Sequence, residues 1–124
     1  MAVTLETVAR NAACDAVVDL LDGGTIEFQT SADAEVATLT LGTPAFDAAS
    51  NGTATANAIT SDDDATGGTI TKAVFKTSAD AAVFTVTVSA TGEGGTIELT
   101  SVEIGAGDTV TLSSYTHTQP ATVA

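Results

Sequence analysis

Residues 4 to 22 carry apolar side chains at a helical period: Leu5, Val8, Ala9, Ala12, Ala13, Ala16 and Leu20 share one face. Arg10, Asn11, Asp15 and Asp22 fall largely on the other. The pattern predicts one amphipathic helix. Thr4 is placed to cap its first turn, with Glu6 and Thr7 behind it, and Gly23-Gly24 supplies the left-handed residue that ends helices. The apolar face is mostly alanine, so it permits close approach to a sheet or a neighbouring subunit but adds little buried area. Leu5, Val8, Ala12, Ala16 and Leu20 are therefore the candidate interface residues.

After Gly24 the period changes to alternation, in segments rich in Thr, Val and Ile separated by Gly, Asp, Ser and Ala. Strands are predicted near 25–30, 36–42, 53–60, 69–77, 82–89, 96–104 and 109–117. Ala37, Leu39 and Leu41 alternate with Thr38 and Thr40, and Phe84, Val86 and Val88 alternate with Thr85 and Thr87. One apolar face and one hydroxyl face is what an antiparallel sheet with a single buried side requires. The expected fold is a mainly β domain, an antiparallel sandwich or barrel-like arrangement of about seven strands preceded by one helix. In this reading the helix covers 4–22, the β domain 25–117, and a short tail 118–124, all within one domain.

An internal repeat organises the β region. Laying Phe28–Leu41 over Phe75–Val88 aligns Phe28 with Phe75, Val36 with Val83, Thr38 with Thr85 and Thr40 with Thr87, and the run Thr30–Ala34 with Thr77–Ala81 without a mismatch. The shared unit reads as strand, Thr-Ser-Ala-Asp-Ala turn, strand. A Gly-Gly-Thr-Ile lead-in stands before each copy, at Gly23–Ile26 and Gly67–Ile70, and again at Gly94–Ile97. Two copies are too few for a solenoid or propeller, which favours a duplicated hairpin inside one domain.

Charge narrows the partners. Three cations, Arg10, Lys72 and Lys76, stand against sixteen carboxylates, for a net charge of −13. A chain so acidic repels nucleic acid and anionic membranes. In a DNA-containing particle it would sit outside, away from the genome. Hydrophobic residues make up 44% of the chain, enough to fold, but aromatics are only 4%, so the core is thin and oligomerisation would help. The single cysteine, Cys14, rules out an intrachain disulfide, and no signal peptide or membrane span is evident, so cytoplasmic synthesis is expected.

Each candidate for chemistry has a plainer explanation. Asp62-Asp63-Asp64 could offer oxygen ligands to calcium, but it lacks the alternating spacing and distal Glu of an EF-hand loop, and reads as a solvated acidic turn. His117 is the only histidine, so no cluster exists to hold zinc. Cys14 needs a neighbouring base to act as a nucleophile, and the one imidazole is remote in sequence. Glu27, Glu93, Glu98 and Glu103 could in principle supply a glycosidase pair, yet no pocket-forming aromatics accompany them. The glycine pairs lead into strands and carry no P-loop lysine. No nucleophile, base and orienting group can be nominated together, so an enzyme is the least expected class and no cofactor is implied.

Several segments have a family look. The helix Ala13–Asp22, then Leu39-Thr-Leu-Gly-Thr-Pro-Ala-Phe46, then Ala54–Thr60 and the acidic Asp62–Gly67 loop together resemble small virion proteins of tailed bacteriophages. The resemblance implies a head decoration or cement protein on the outer capsid surface. Its partners would be the major capsid protein or other virion proteins, its state multimeric, and no catalytic residue is implied. A tail or connector component is the alternative within the particle. A β-sandwich module recognising host carbohydrate is the alternative outside it, although the only aromatics are Phe28, Phe46, Phe75, Phe84 and Tyr115.

Overall fold

A computed structural model describes residues 3–120, with Thr122 and Val123 described by backbone alone. The fold is mainly β with one helix, dominated by a six-stranded mixed sheet curled into a half-barrel. In chain order the elements are β1 (Val3–Thr4), α1 (Thr7–Asp19), β2 (Thr25–Gln29), β3 (Glu35–Leu41), β4 (Thr53–Thr55), β5 (Ile59–Thr60) and β6 (Gly68–Thr69). There follow β7 (Lys72–Lys76), β8 (Ala82–Ala90), β9 (Ile97–Leu99), β10 (Glu103–Ile104), β11 (Thr116–Thr118) and β12 (Thr122–Val123). The large sheet runs β5-β3-β2-β7-β8-β9, and β1-β12, β6-β10 and β4-β11 form small antiparallel ribbons.

The duplicated hairpins lie side by side and pair through their first strands. Strand β2 runs antiparallel to β7 with Thr25 opposite Lys76, Glu27 opposite Val74 and Gln29 opposite Lys72. Glu27 and Val74 occupy equivalent positions in the two copies, so a local pseudo-twofold axis passes through that pair. The likeness extends to detail. Each turn bonds Thr to Asp across a tight bend, Asp33 N–H to Thr30 O at 3.0 Å and Asp80 N–H to Thr77 O at 2.9 Å. Each Asp then takes the left-handed conformation at φ +67°, the geometry of a three-residue hairpin closed by a bulge. In each copy the Thr hydroxyl also accepts two turn amides, Ala32 and Ala34 in the first and Ala79 and Ala81 in the second. The ladder slips at the same place in both, after Phe28 and after Phe75.

Alternation then sorts the faces. Leu39, Ile26, Phe75 and Phe84 form one cross-strand row on the inner face, and Ala37, Phe28, Ala73 and Val86 the next. Phe28, Ile26, Leu39 and Phe75 are fully buried. Thr40, Thr85 and Thr87 stand exposed on the outer face, where Lys76 pairs with Glu27 at 3.0 Å. That hydrogen bond raises the Lys76 pKa. Gly24 enters β2 so close to the carbonyl of Lys76 that a Cβ would overlap it, which accounts for the second glycine of the first lead-in.

Several expectations change, and the predicted strands 53–60, 69–77 and 96–104 are each divided in two, as β4 and β5, β6 and β7, and β9 and β10. The helix is shorter than 4–22: Thr4 belongs to β1, the N-cap is Glu6 with no side-chain cap, and the chain leaves α1 through short turns that end at Gly23, φ +68°. The sheet is not antiparallel throughout, because β9 runs parallel to β8, with Val88 opposite Ile97 and Ala90 opposite Leu99. Thr91–Thr96 doubles back in a loop too short for the usual crossover, with Gly92 and Gly94 both at positive φ. Residues 109–115 form no strand; the segment touches Asp62 through a bridge at Val110, and only Thr116–Thr118 joins a ladder, against β4. Of the expected tail 118–124, Thr118 ends β11 and Thr122–Val123 pairs with β1, while residues 121 and 124 lie outside the described residues.

Candidate functional site

Helix α1 docks through a mixed face, with buried Cys14 and Val18 flanked by the polar Asn11 and Asp15. Asn11, Asp15 and Asp22 each accept one backbone N–H from the segment after β3: Gly52, Ala49 and Ala45 respectively, all at 2.8 Å. The acceptors descend the sequence as the donors ascend it, so the loop runs antiparallel to the helix and is stitched to it at three points. A loop lying on a domain has amides that need acceptors, and these three side chains supply them. Arg10 donates through Nε to the carbonyl of Gln119 at 3.1 Å. Between the polar anchors sit Cys14, Val18 and Leu21, all essentially without solvent exposure.

The consequence is that the apolar face meets water. Val8 is 78% exposed and Leu20 55% exposed, and Ala9, Ala12 and Ala16 between them are exposed as well; Leu5 is half-buried. Of the two neighbours open to this face, a sheet or another subunit, the fold does not use the first: α1 meets β4 and β11 through its other side. Val3, 54% exposed in β1, is the remaining large exposed apolar side chain among the described residues, and it lies outside the helical pattern that singled out the others. Glu6 and Asp19, both exposed, flank the stripe at its two ends. Isolated exposed apolar residues are ordinary, but a stripe along one helix is a contact surface in waiting.

No match to a known protein accompanies this geometry. No family model fits the chain, and neither curated proteins nor solved structures provide a relative.

The other candidates resolve into structural contacts. The fold brings Cys14 to His117, but to its backbone: Sγ lies 3.5 Å from the His117 carbonyl oxygen. Burial, helped by the nearby Asp15 charge, pushes the Cys14 thiol up, away from thiolate. The His117 ring stacks on Phe84 at 5.1 Å, and burial lowers its pKa, which favours the neutral ring. A nucleophile and base pair would need the opposite trend at the sulfur.

Asp62 anchors two backbone amides. One of its oxygens accepts the Thr38 amide at 2.8 Å and the other the Asp64 amide at 2.9 Å, while Asp63 and Asp64 point to solvent. Glu27 is held by Lys76 and Gln29, and Glu98 accepts the amides of Gly92 and Gly94 in the doubling-back loop. Among the described residues no three His, Cys, Asp or Glu side chains are grouped to hold a metal ion. The aromatics turn to one another: Phe75 stacks with Phe84 at 4.5 Å and meets Tyr115 at a tilt at 4.7 Å, and Phe46 meets Tyr115 edge-on. Burial raises the Tyr115 pKa. Side chains committed to the core in this way are poor platforms for a sugar ring.

Proposed function

We propose that this protein is a structural component of a larger assembly, a decoration protein on the outer surface of a tailed-phage head, present in multiple copies. The observation that carries the structural role is the inverted helix: a domain that satisfies its own loop with polar side chains and leaves Val8, Ala12, Ala16 and Leu20 to solvent has a surface suited to burial against a neighbour. The phage setting is supported by the sequence resemblance and by the charge of −13, which suits the outside of a DNA-filled shell.

Magnitudes favour many copies over one. Burying a whole Val or Leu contributes roughly 1.5–3 kcal/mol, so the exposed parts of Val8 and Leu20 together contribute on the order of 2–4 kcal/mol. Association of two free molecules costs at least about 4 kcal/mol in lost motion. The stripe alone is therefore too small an anchor, and repetition on a symmetric lattice supplies the rest through effective concentration. The deciding experiment is mass spectrometry of purified source particles. Copies in fixed proportion to the major capsid protein support decoration, a handful per particle points to a tail or connector part, and absence from particles refutes the virion reading.

A further inference from the structure

We infer that the half-barrel holds an open slot for one extended strand, and that its occupant is a Lys- or Arg-bearing segment of another protein. The inference is independent of the phage reading. It begins with the edges. Strand β9 ends the large sheet and is paired only with β8. At the other end of the sheet, the chain on either side of β5 meets the returning segment, after it through the Asp62–Val110 bridge and before it through the bond from Ala56 N–H to Tyr115 O. Residues 110–116 thus lie where a further stave would, on the far side of a gap from β9.

The gap is real space. A cavity of about 560 Å³ is lined by Glu98 and Leu99, by Val110 to Ser113, and by parts of the 100–109 connection that joins them. A second, of about 300 Å³, continues between Ile97 and Leu112–Thr116. Both walls are built like strands. Ile97 and Leu99 are buried with Glu98 exposed between them, and Val110 and Leu112 are buried with Thr111 exposed between them. Among the described residues, the amides and carbonyls of Thr111–Ser114 make no backbone hydrogen bond. Two rows of backbone groups therefore border one groove, and an extended peptide is the shape that satisfies both. This also explains why alternation predicts a strand at 109–117 that the isolated chain does not form: the local preference is present and the ladder partner is missing.

Charge selects the occupant. The groove carries Glu98, Glu103 and Asp108 and no cation. All three cations of the chain are engaged elsewhere, Arg10 on Gln119, Lys72 on Asp33, and Lys76 on Glu27 and Asp80. A second copy would bring a net charge of −13 to a groove that is already acidic, so a basic segment of a different protein fits better.

The test uses the full-length, isotope-labelled chain. In the free protein the Thr111–Ser114 amides should exchange with solvent at rates close to those of an unprotected chain. A random heptapeptide library is then panned against it, and selected peptides are added during exchange. The expected outcome is enrichment of sequences alternating apolar residues with Lys or Arg, at least about tenfold slower exchange confined to Ile97–Leu99 and Thr111–Ser114, and weakened binding in Glu103→Lys. Protection of Thr111–Ser114 in the free chain would mean the barrel closes on itself and would overturn the inference. So would no enriched peptide, protection mapping elsewhere, equal binding of acidic peptides, or protection that grows with protein concentration, which would make the occupant a second copy.

Discussion

Inverting the helix makes an unusual demand: replacing Asn11, Asp15 or Asp22, in α1 and the turn after it, should destabilise the protein, and replacing the exposed Val8 or Leu20 should not. Asp15→Ala and Asp22→Ala each remove an acceptor 2.8 Å from a loop amide, at Ala49 and Ala45, and Asn11→Ala does the same at the buried Gly52. Leaving a buried or half-buried N–H without its partner costs about 1–3 kcal/mol, with charged acceptors toward the upper end. We expect a loss of about 2 kcal/mol for each Asp and about 1.5 for Asn11. Their combination should be less than additive, because all three hold one loop. Val8→Ser and Leu20→Gln alter side chains that are 78% and 55% exposed, and should each stay within about 0.5 kcal/mol. The assay is urea unfolding followed by circular dichroism, reading the midpoint at unchanged slope. Two protein concentrations are needed, since self-association through the stripe would make the midpoint concentration-dependent. If Val8→Ser and Leu20→Gln each lost more than about 2 kcal/mol at every concentration while Asp15→Ala and Asp22→Ala were silent, the helix would be docked the other way round and the proposed surface would not exist.

Three further outcomes follow from single features. Asp33 and Asp80 both sit at φ +67°, so Ala at either should cost about 1 kcal/mol and Gly little or nothing, with the two sites agreeing within about 0.5 kcal/mol by urea midpoint. Their exposed partnerships with Lys72 and Lys76 should add little to that difference. Burial lowers the His117 pKa below its ordinary 6.5, so at higher pH both folded and unfolded forms are neutral there and the ring adds no pH dependence. As pH falls below about 6.5 the unfolded chain takes up a proton that the folded one refuses, and stability drops until the folded pKa is passed; His117→Gln should lack this component in paired pH titrations of the urea midpoint. Cys14, fully buried with its thiol pKa raised, should react with a thiol reagent only as the native state opens, at a rate that rises with urea; rapid stoichiometric labelling of the folded protein would contradict its placement.

Much of the β architecture was legible because its causes are local. The Thr-Ser-Ala-Asp-Ala turn has its own hydrogen bonds and its own left-handed Asp, so one copy predicts the other, and alternation at 36–42 and 82–89 sorts inside from outside. What stayed hidden depends on distant partners. Periodicity shows which residues of α1 share a face but not which face is needed by the amides of Ala45, Ala49 and Gly52, and an alanine face has too little area to settle the matter. A trace was present, since Asn11, Asp15 and Asp22 fall at helical spacing alongside Cys14 and Val18. The parallel course of β9 rests on backbone freedom at Gly92 and Gly94, which reads equally well as an ordinary hairpin turn. Of the candidate interface residues, the exposure of Val8, Ala12, Ala16 and Leu20 emerges only from the fold, and Leu5 lies before α1 and is half-buried.

The pseudo-twofold relation between the hairpins bears on how the chain reaches its fold. Each hairpin closes over a three-residue loop and can zip early, whereas β2 must find β7 across the intervening chain. Near-identical turns mean that β2 of one molecule meets a compatible β7 edge on any other molecule nearby. Crowded refolding is therefore a competition between an edge on the same chain and one on a neighbour, and the neighbour's share grows with concentration. Duplication that makes the sheet easy to build also makes exchange of whole hairpins between molecules its natural error.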